Sequence, residues 1–183
     1  MRTVVALALT LASIGCGGQQ ATETATSSTS QASTTSGGSK QVTFTTDDLD
    51  KFERGFRSEI DAVKAAQQKA TTATDAQERG VAIQAQWETT TIPQGATASG
   101  LAQARYREVR EAVDRVFTML DFQGKIDGPL SIDLERADAD TKARVNRDAF
   151  ADLPADSASA LRARMDRLVP LWTEYKKLVA VAG

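Results

Sequence analysis

From residue 45 onward, apolar side chains recur at intervals of three and four, and Val, Ile and Thr never alternate over a run long enough for a sheet. A period near 3.6 places these residues on one stripe of a helix, and a stripe is stable only when another helix covers it. The chain is therefore expected to be all-α.

The first expected helix carries Leu49, Phe52, Phe56, Ile60, Val63 and Ala70. Thr45 precedes Asp48 by three residues, and Asp47 and Asp48 put negative charge in the first turn, where a helix start favours it. Thr71 to Thr74 breaks the pattern. Asp75 and Glu78 can cap a shorter second helix with Ala76, Gly80, Ile83 and Trp87 on one face. Thr89 to Gly95, with Pro93, reads as a loop. The third helix is expected from Thr97 or Ser99 to Phe122, with a seam of Tyr106, Val109, Val113, Val116 and Leu120 and a stop at Gly124. The last starts near Asp156 or Ser157. Its stripe is Leu161, Met165, Leu168, Trp172, Tyr175, Val179 and Ala182. Pro170 removes a donor and crowds the carbonyl of Asp166, so a kink or a broken first half is expected there.

Between these helices, 123–156 is irregular. Gln123 to Pro129 is rich in turn formers, and Ser131 to Leu134 is expected to be briefly extended. Asp138 or Asp140 can cap a short helix ending near Asp148. Phe150, Leu153 and Pro154 then pin the crossover to the core. The expected fold is a four-helix antiparallel bundle with a short crossover helix. Val113 and Leu168 should be fully buried, and Phe52, Phe56, Trp87, Tyr106, Phe117 and Trp172 should fill the interior.

The first forty residues obey different rules. Arg2 precedes Thr3 to Ile14, an uncharged and mostly apolar run of 12 residues. It is shorter than the roughly 20 residues a membrane-spanning helix needs, and it has the length of a signal-peptide core. It ends in Ser13-Ile14-Gly15-Cys16, and Cys16 is the chain's only cysteine. This segment resembles the lipobox of bacterial lipoproteins, with Ser13 where Leu is commonest. The resemblance covers residues 1–16. It implies that Gly15 is the last residue removed, that Cys16 receives diacylglyceryl, and that the new N-terminus is acylated with a chain such as palmitate. It also implies a membrane partner through the lipid on Cys16. Gly17 follows the cysteine where many lipoproteins of the Gram-negative inner membrane carry an acid, so the periplasmic face of an outer membrane is the implied location.

Residues 17–40 hold no aromatic residue and no aliphatic one larger than Ala. Such a segment cannot offset the entropy of ordering its backbone. It reads as a flexible tether with a reach of about 27 Å. The boundaries are thus 1–15 for the signal, 16–40 for the lipidated Cys16 and tether, and 41–183 for a helical domain.

Composition narrows the chemistry of that domain. The chain contains no His. Imidazole metal sites, His-dependent nucleophiles and His pH switches are thereby excluded. The domain has 20 basic and 23 acidic residues. Its ten Arg between 105 and 167 are interleaved with acids, as in the i,i+4 pairs Arg107/Glu111, Arg110/Asp114 and Glu111/Arg115. A nucleic-acid face needs excess positive charge, so nucleic acid is not an expected partner. Asp121 and Asp127 are the carboxylates best placed for glycoside hydrolysis. Asp133, Glu135, Asp138 and Asp140 cluster, but without the Gly and spacing of an EF-hand. No metal or cofactor is expected.

Elimination favours a non-catalytic binding role toward an envelope protein or cell-wall component. A carboxylate-based glycan hydrolase and a carrier of a hydrophobic ligand are the alternatives. Convergent buried acids in a groove would favour the hydrolase, an apolar cavity of several hundred Å³ the carrier, and a solid core the binder. Lys125, Ile126 and Asp127 are the expected binding residues, because loops on a rigid scaffold often carry recognition.

Overall fold

The computed structural model describes residues 41–130 and 132–181, and the described residues form an all-α bundle of seven helices. Helix α1 (Thr46–Thr72) opens on a reciprocal cap. The Asp48 N–H donates to Thr45 Oγ1 at 3.2 Å, and the Thr45 N–H donates to Asp48 Oδ2 at 3.0 Å. Its stripe of Leu49, Phe52, Phe56, Ile60 and Val63 is buried, and it packs against five of the later helices. The core therefore forms around α1.

Helix α2 (Ala76–Gln84) is capped by Asp75, which accepts from the Glu78 N–H at 2.7 Å. Its orientation differs from the expected one. Ala82 is its buried residue, while Ile83 is 42% and Trp87 57% exposed. The helix ends before Trp87, and the chain turns at Ala85 and Gln86, so the indole is not carried into the core. The other five aromatics expected inside are buried.

Residues 89–95, expected as a loop, lie within α3 (Glu88–Ser99). Pro93 costs one ladder hydrogen bond, whereas the helical form buries Thr91, Ile92, Gly95, Ala96 and Ser99 as one stripe. Gly100, at φ +76°, ends α3, so the expected third helix is two. Helix α4 (Gln103–Phe122) carries the second part, with its whole expected seam buried. Gly124, at φ +64°, closes α4 as expected. Its N–H donates to the Asp121 carbonyl and the Lys125 N–H to the Leu120 carbonyl, a Schellman pair.

The crossover contains α5 (Ala139–Val145), capped by Asp138, and buries Phe150 and Leu153. Ile132 to Leu134 enters a turn rather than an extended segment, with the Leu134 N–H donating to the Ile132 carbonyl; Ser131 lies outside the described residues. The last stripe is divided between α6 (Ala155–Arg162) and α7 (Met165–Val181). The break falls at Ala163 and Arg164, and α7 runs through Pro170, which sits on the exposed side, where its missing donor is cheap. The break lets Leu161 and Leu168 both reach the core.

Ser157 Oγ accepts from the Phe44 N–H at 2.9 Å and donates to the Phe44 carbonyl at 3.1 Å. The crossover thus returns the chain to the starting end of α1. Pairings along α1 and α7 ascend together, from Asp50 with Arg164 to Lys64 with Glu174 to Gln67 with Leu178, so these two helices run the same way. Helix α3 opposes α1, with Arg54 beside Ser99 and Glu59 beside Thr91.

Candidate functional site

Two charged residues lie inside the apolar stripes. Glu59 falls between Phe56 and Ile60 on α1, and Arg110 follows Val109 on α4. Arg110 does not sit on a solvated face with Asp114, as its spacing suggests; it turns inward. Its Nε donates to Glu59 Oε2 at 3.0 Å, and Tyr106 OH donates to the same oxygen at 3.1 Å. Thr91 Oγ1 donates to Glu59 Oε1 at 3.5 Å. Arg110 Nη2 donates to Glu88 Oε1 at 2.8 Å and to Tyr175 OH at 2.9 Å. Four helices meet at this cluster.

Glu59 is 0% exposed. Burial pushes its carboxyl above the usual carboxylate range, even though Arg110 and Tyr106 pull it down. Burial also raises Tyr175 to about 12, so its phenol stays protonated. Glu59 is sealed from solvent and meets no diffusing substrate. Its work is to orient Arg110.

The network surfaces at Glu88, whose side chain is 59% exposed. Beside it lies an open groove of about 360 Å³. Ile83, Trp87 and Val179 form its apolar walls, and Gln86, Glu88 and Tyr175 its polar lining. Lys176 stands at the groove and pairs with Asp114 at 2.7 Å. Gln86 is only 9% exposed, and its Oε1 is buried without a hydrogen-bond partner among the described residues. Leaving such an acceptor unmatched costs about 1–3 kcal/mol. Glu88 accepts Arg110 and Tyr175 on Oε1, which fixes the carboxylate in place. The groove thus offers an aromatic surface and a held carboxylate, beside the buried amide of Gln86.

The residues expected to act lie elsewhere. Asp121 is buried and accepts the Gly128 N–H at 2.9 Å and the Leu130 N–H at 2.8 Å, so it fastens the loop. Lys125 is exposed, Ile126 is half-buried against the core, and Asp127 is exposed. The Asp127 carbonyl accepts from Thr173 Oγ1 at 3.4 Å, and Asp127 borders a wider groove of about 730 Å³ with Gln67, Pro170, Thr173 and Leu178. The structure does not join Asp121 and Asp127 as a free carboxylate pair, since Asp121 is committed to two backbone donors. Asp133 accepts from the Glu135 and Arg136 N–H groups, and Asp138 caps α5. No group of three or more acids or cysteines is gathered for a metal among the described residues. Cys16 lies outside the described residues.

Sequence reasoning passed over Glu59, Gln86, Glu88 and Arg110. The signal for two of them was present, as an acid and a base standing within apolar stripes. Nothing local marks Gln86 or Glu88, because their roles depend on where α7 packs.

No family model, curated protein or solved structure matches the chain.

Proposed function

We propose that this chain is a lipid-anchored binding protein of the bacterial cell envelope. Its anchor is an acylated Cys16, residues 17–40 are its spacer, and its helical domain meets an envelope protein or a cell-wall component. The observation that carries the reading is the sole cysteine, placed where a 12-residue apolar run ends after Arg2. Among the described residues no helix is long and apolar enough to cross a membrane. Each buried CH₂ contributes about 0.8 kcal/mol, and two or three acyl chains hold a protein firmly.

Two features of the domain support binding over turnover. The space inside the core, between Phe52, Phe56, Arg110, Val113, Asp114, Trp172 and Tyr175, is about 10 Å³, too small for a hydrophobic cargo, and the space of about 730 Å³ beside Asp127 is a groove open to solvent. Asp121 is held by backbone donors and Glu59 by Arg110 and Tyr106, an arrangement that suits support of a fold. The tether keeps the domain near one membrane, where a weak partner on that surface is encountered at high effective concentration. Gly17 after the cysteine points to the periplasmic face of an outer membrane where the source has one. Cell fractionation tests the anchor: the wild type should sediment with membranes, and Cys16→Ser should be released or remain unprocessed. Equal membrane retention of a processed Cys16→Ser variant would refute it.

A further inference from the structure

The groove at Trp87 carries the reading further, from binding in general to the chemistry of what is bound. We infer that it takes the basic side chain, arginine or lysine, of an extended segment of a partner protein. Two independent features converge there. Trp87, 57% exposed, occupies a position that the end of α2 and the start of α3 fix. An aromatic face of this kind attracts a cation laid over it, arginine most often. Glu88 is locked through Oε1 by Arg110 and Tyr175, and its Oε2 takes no hydrogen bond among the described residues. A held carboxylate oxygen is the natural acceptor for a charged N–H group. One is a π face and the other an acceptor, and a guanidinium or ammonium supplies donors and positive charge together.

Charge bookkeeping agrees. Glu59 and Glu88 share the single guanidinium of Arg110, which leaves one negative charge in excess, and the exposed member is Glu88. The Lys176 ammonium at the groove is balanced by Asp114 at 2.7 Å. The groove therefore complements a cation and disfavours an anion. Its open side, walled by Ile83 and Val179, gives the apolar stem and neighbours of a basic residue a surface to cover, which a bare polyamine would not use. This inference deepens the binding reading, and it does not depend on Cys16. Failure of the anchor would appear in fractionation and leave groove binding intact, and the reverse also holds.

The test uses the full chain purified in a neutral detergent and titrated calorimetrically with capped repeat peptides. A Gly-Arg peptide should bind, more weakly as salt is raised, while Gly-Ser and Gly-Glu peptides should not. Trp87→Ala and Glu88→Gln should each weaken binding about ten-fold. Trp87 is exposed, so its replacement should leave the thermal midpoint unchanged and report binding alone. The inference is overturned if the Gly-Arg peptide fails to bind wild type. It is also overturned if both variants bind as wild type does, if the Gly-Glu peptide binds equally, or if spermidine binds as tightly as the peptide.

Discussion

Glu59 and Arg110 set the energetics at the level of single residues. A buried ion pair gains little over well-packed apolar groups, but removing one partner leaves an uncompensated charge and costs about 3–5 kcal/mol. Arg110→Met should fall in that range by chemical denaturation, because Glu59 would keep only its Tyr106 and Thr91 donors. Adding Glu59→Met should recover a large part of the loss, so the double variant should be more stable than the sum of the singles predicts. Strict additivity would mean that the pair is not coupled. The same carboxylate fixes a sign in pH dependence. Glu59 is raised in the fold, chiefly by burial, so its contribution is fullest below its ordinary value near 4.5 and is lost as pH rises through the higher folded value. Asp48 has the opposite sign. It is desolvated, yet hydrogen bonds from the Thr45 backbone and Arg105 outweigh this and lower it, so its contribution is present above 3.8 and is lost in acid. Glu59→Gln should therefore remove a loss of stability on the rising side, and Asp48→Asn should flatten the fall toward low pH. Denaturant midpoints measured across that range distinguish them, and identical profiles for the two variants would contradict the assignment.

At the scale of helices, two glycines carry opposite expectations. A Cβ on Gly55 of α1 would fall on the carbonyl oxygen of Gly95 in α3, whereas one on Gly80 of α2 would meet nothing within 4 Å. Gly55→Ala should force α3 away from α1 and cost about 1–3 kcal/mol or more. Gly80→Ala should be neutral or stabilise by up to about 1 kcal/mol, since helix interiors favour Ala. Equal effects in a thermal melt would show that α1 and α3 do not approach through these residues. Helix existence was legible wherever cap and stripe agreed, as at Thr45 with Leu49 to Val63 and at Tyr106 to Gly124. It was illegible at α3, because a Thr-rich segment with Pro93 resembles a loop until the surface of α1 that it covers is known. The face of α2 was misread for a related reason. Ile83 and Trp87 have helical spacing, but burial depends on what lies opposite, and the described residues leave them 42% and 57% exposed. The long crossover also hid the direction of α7, which depends on Ser157 meeting Phe44 far away in sequence. The candidate site was correspondingly hard to read. Glu59 and Arg110 stand out as charges in apolar stripes, but the groove forms only when α7 brings Tyr175 and Val179 beside Trp87.

For the whole molecule, the proposal is a helical domain joined to a membrane through residues 17–40 and a lipid on Cys16. The domain interior is occupied by packed aromatics and the Glu59–Arg110 cluster, and the proposed binding groove lies on the outer surface. Anchor and groove are separable, and Cys16→Ser should leave the chemical midpoint of the domain unchanged, because the tether holds no side chain suited to core packing. A shift in midpoint would mean that the anchor segment supports the fold. The most direct measurement is the intact mass of the protein extracted from membranes of cells that express the full chain. The expected product is a mature chain beginning at Cys16 and carrying the added mass of a diacylglyceryl group, with or without a further acyl chain. A mature chain beginning at Cys16 with no added mass, or one cut elsewhere with a free thiol, would contradict it.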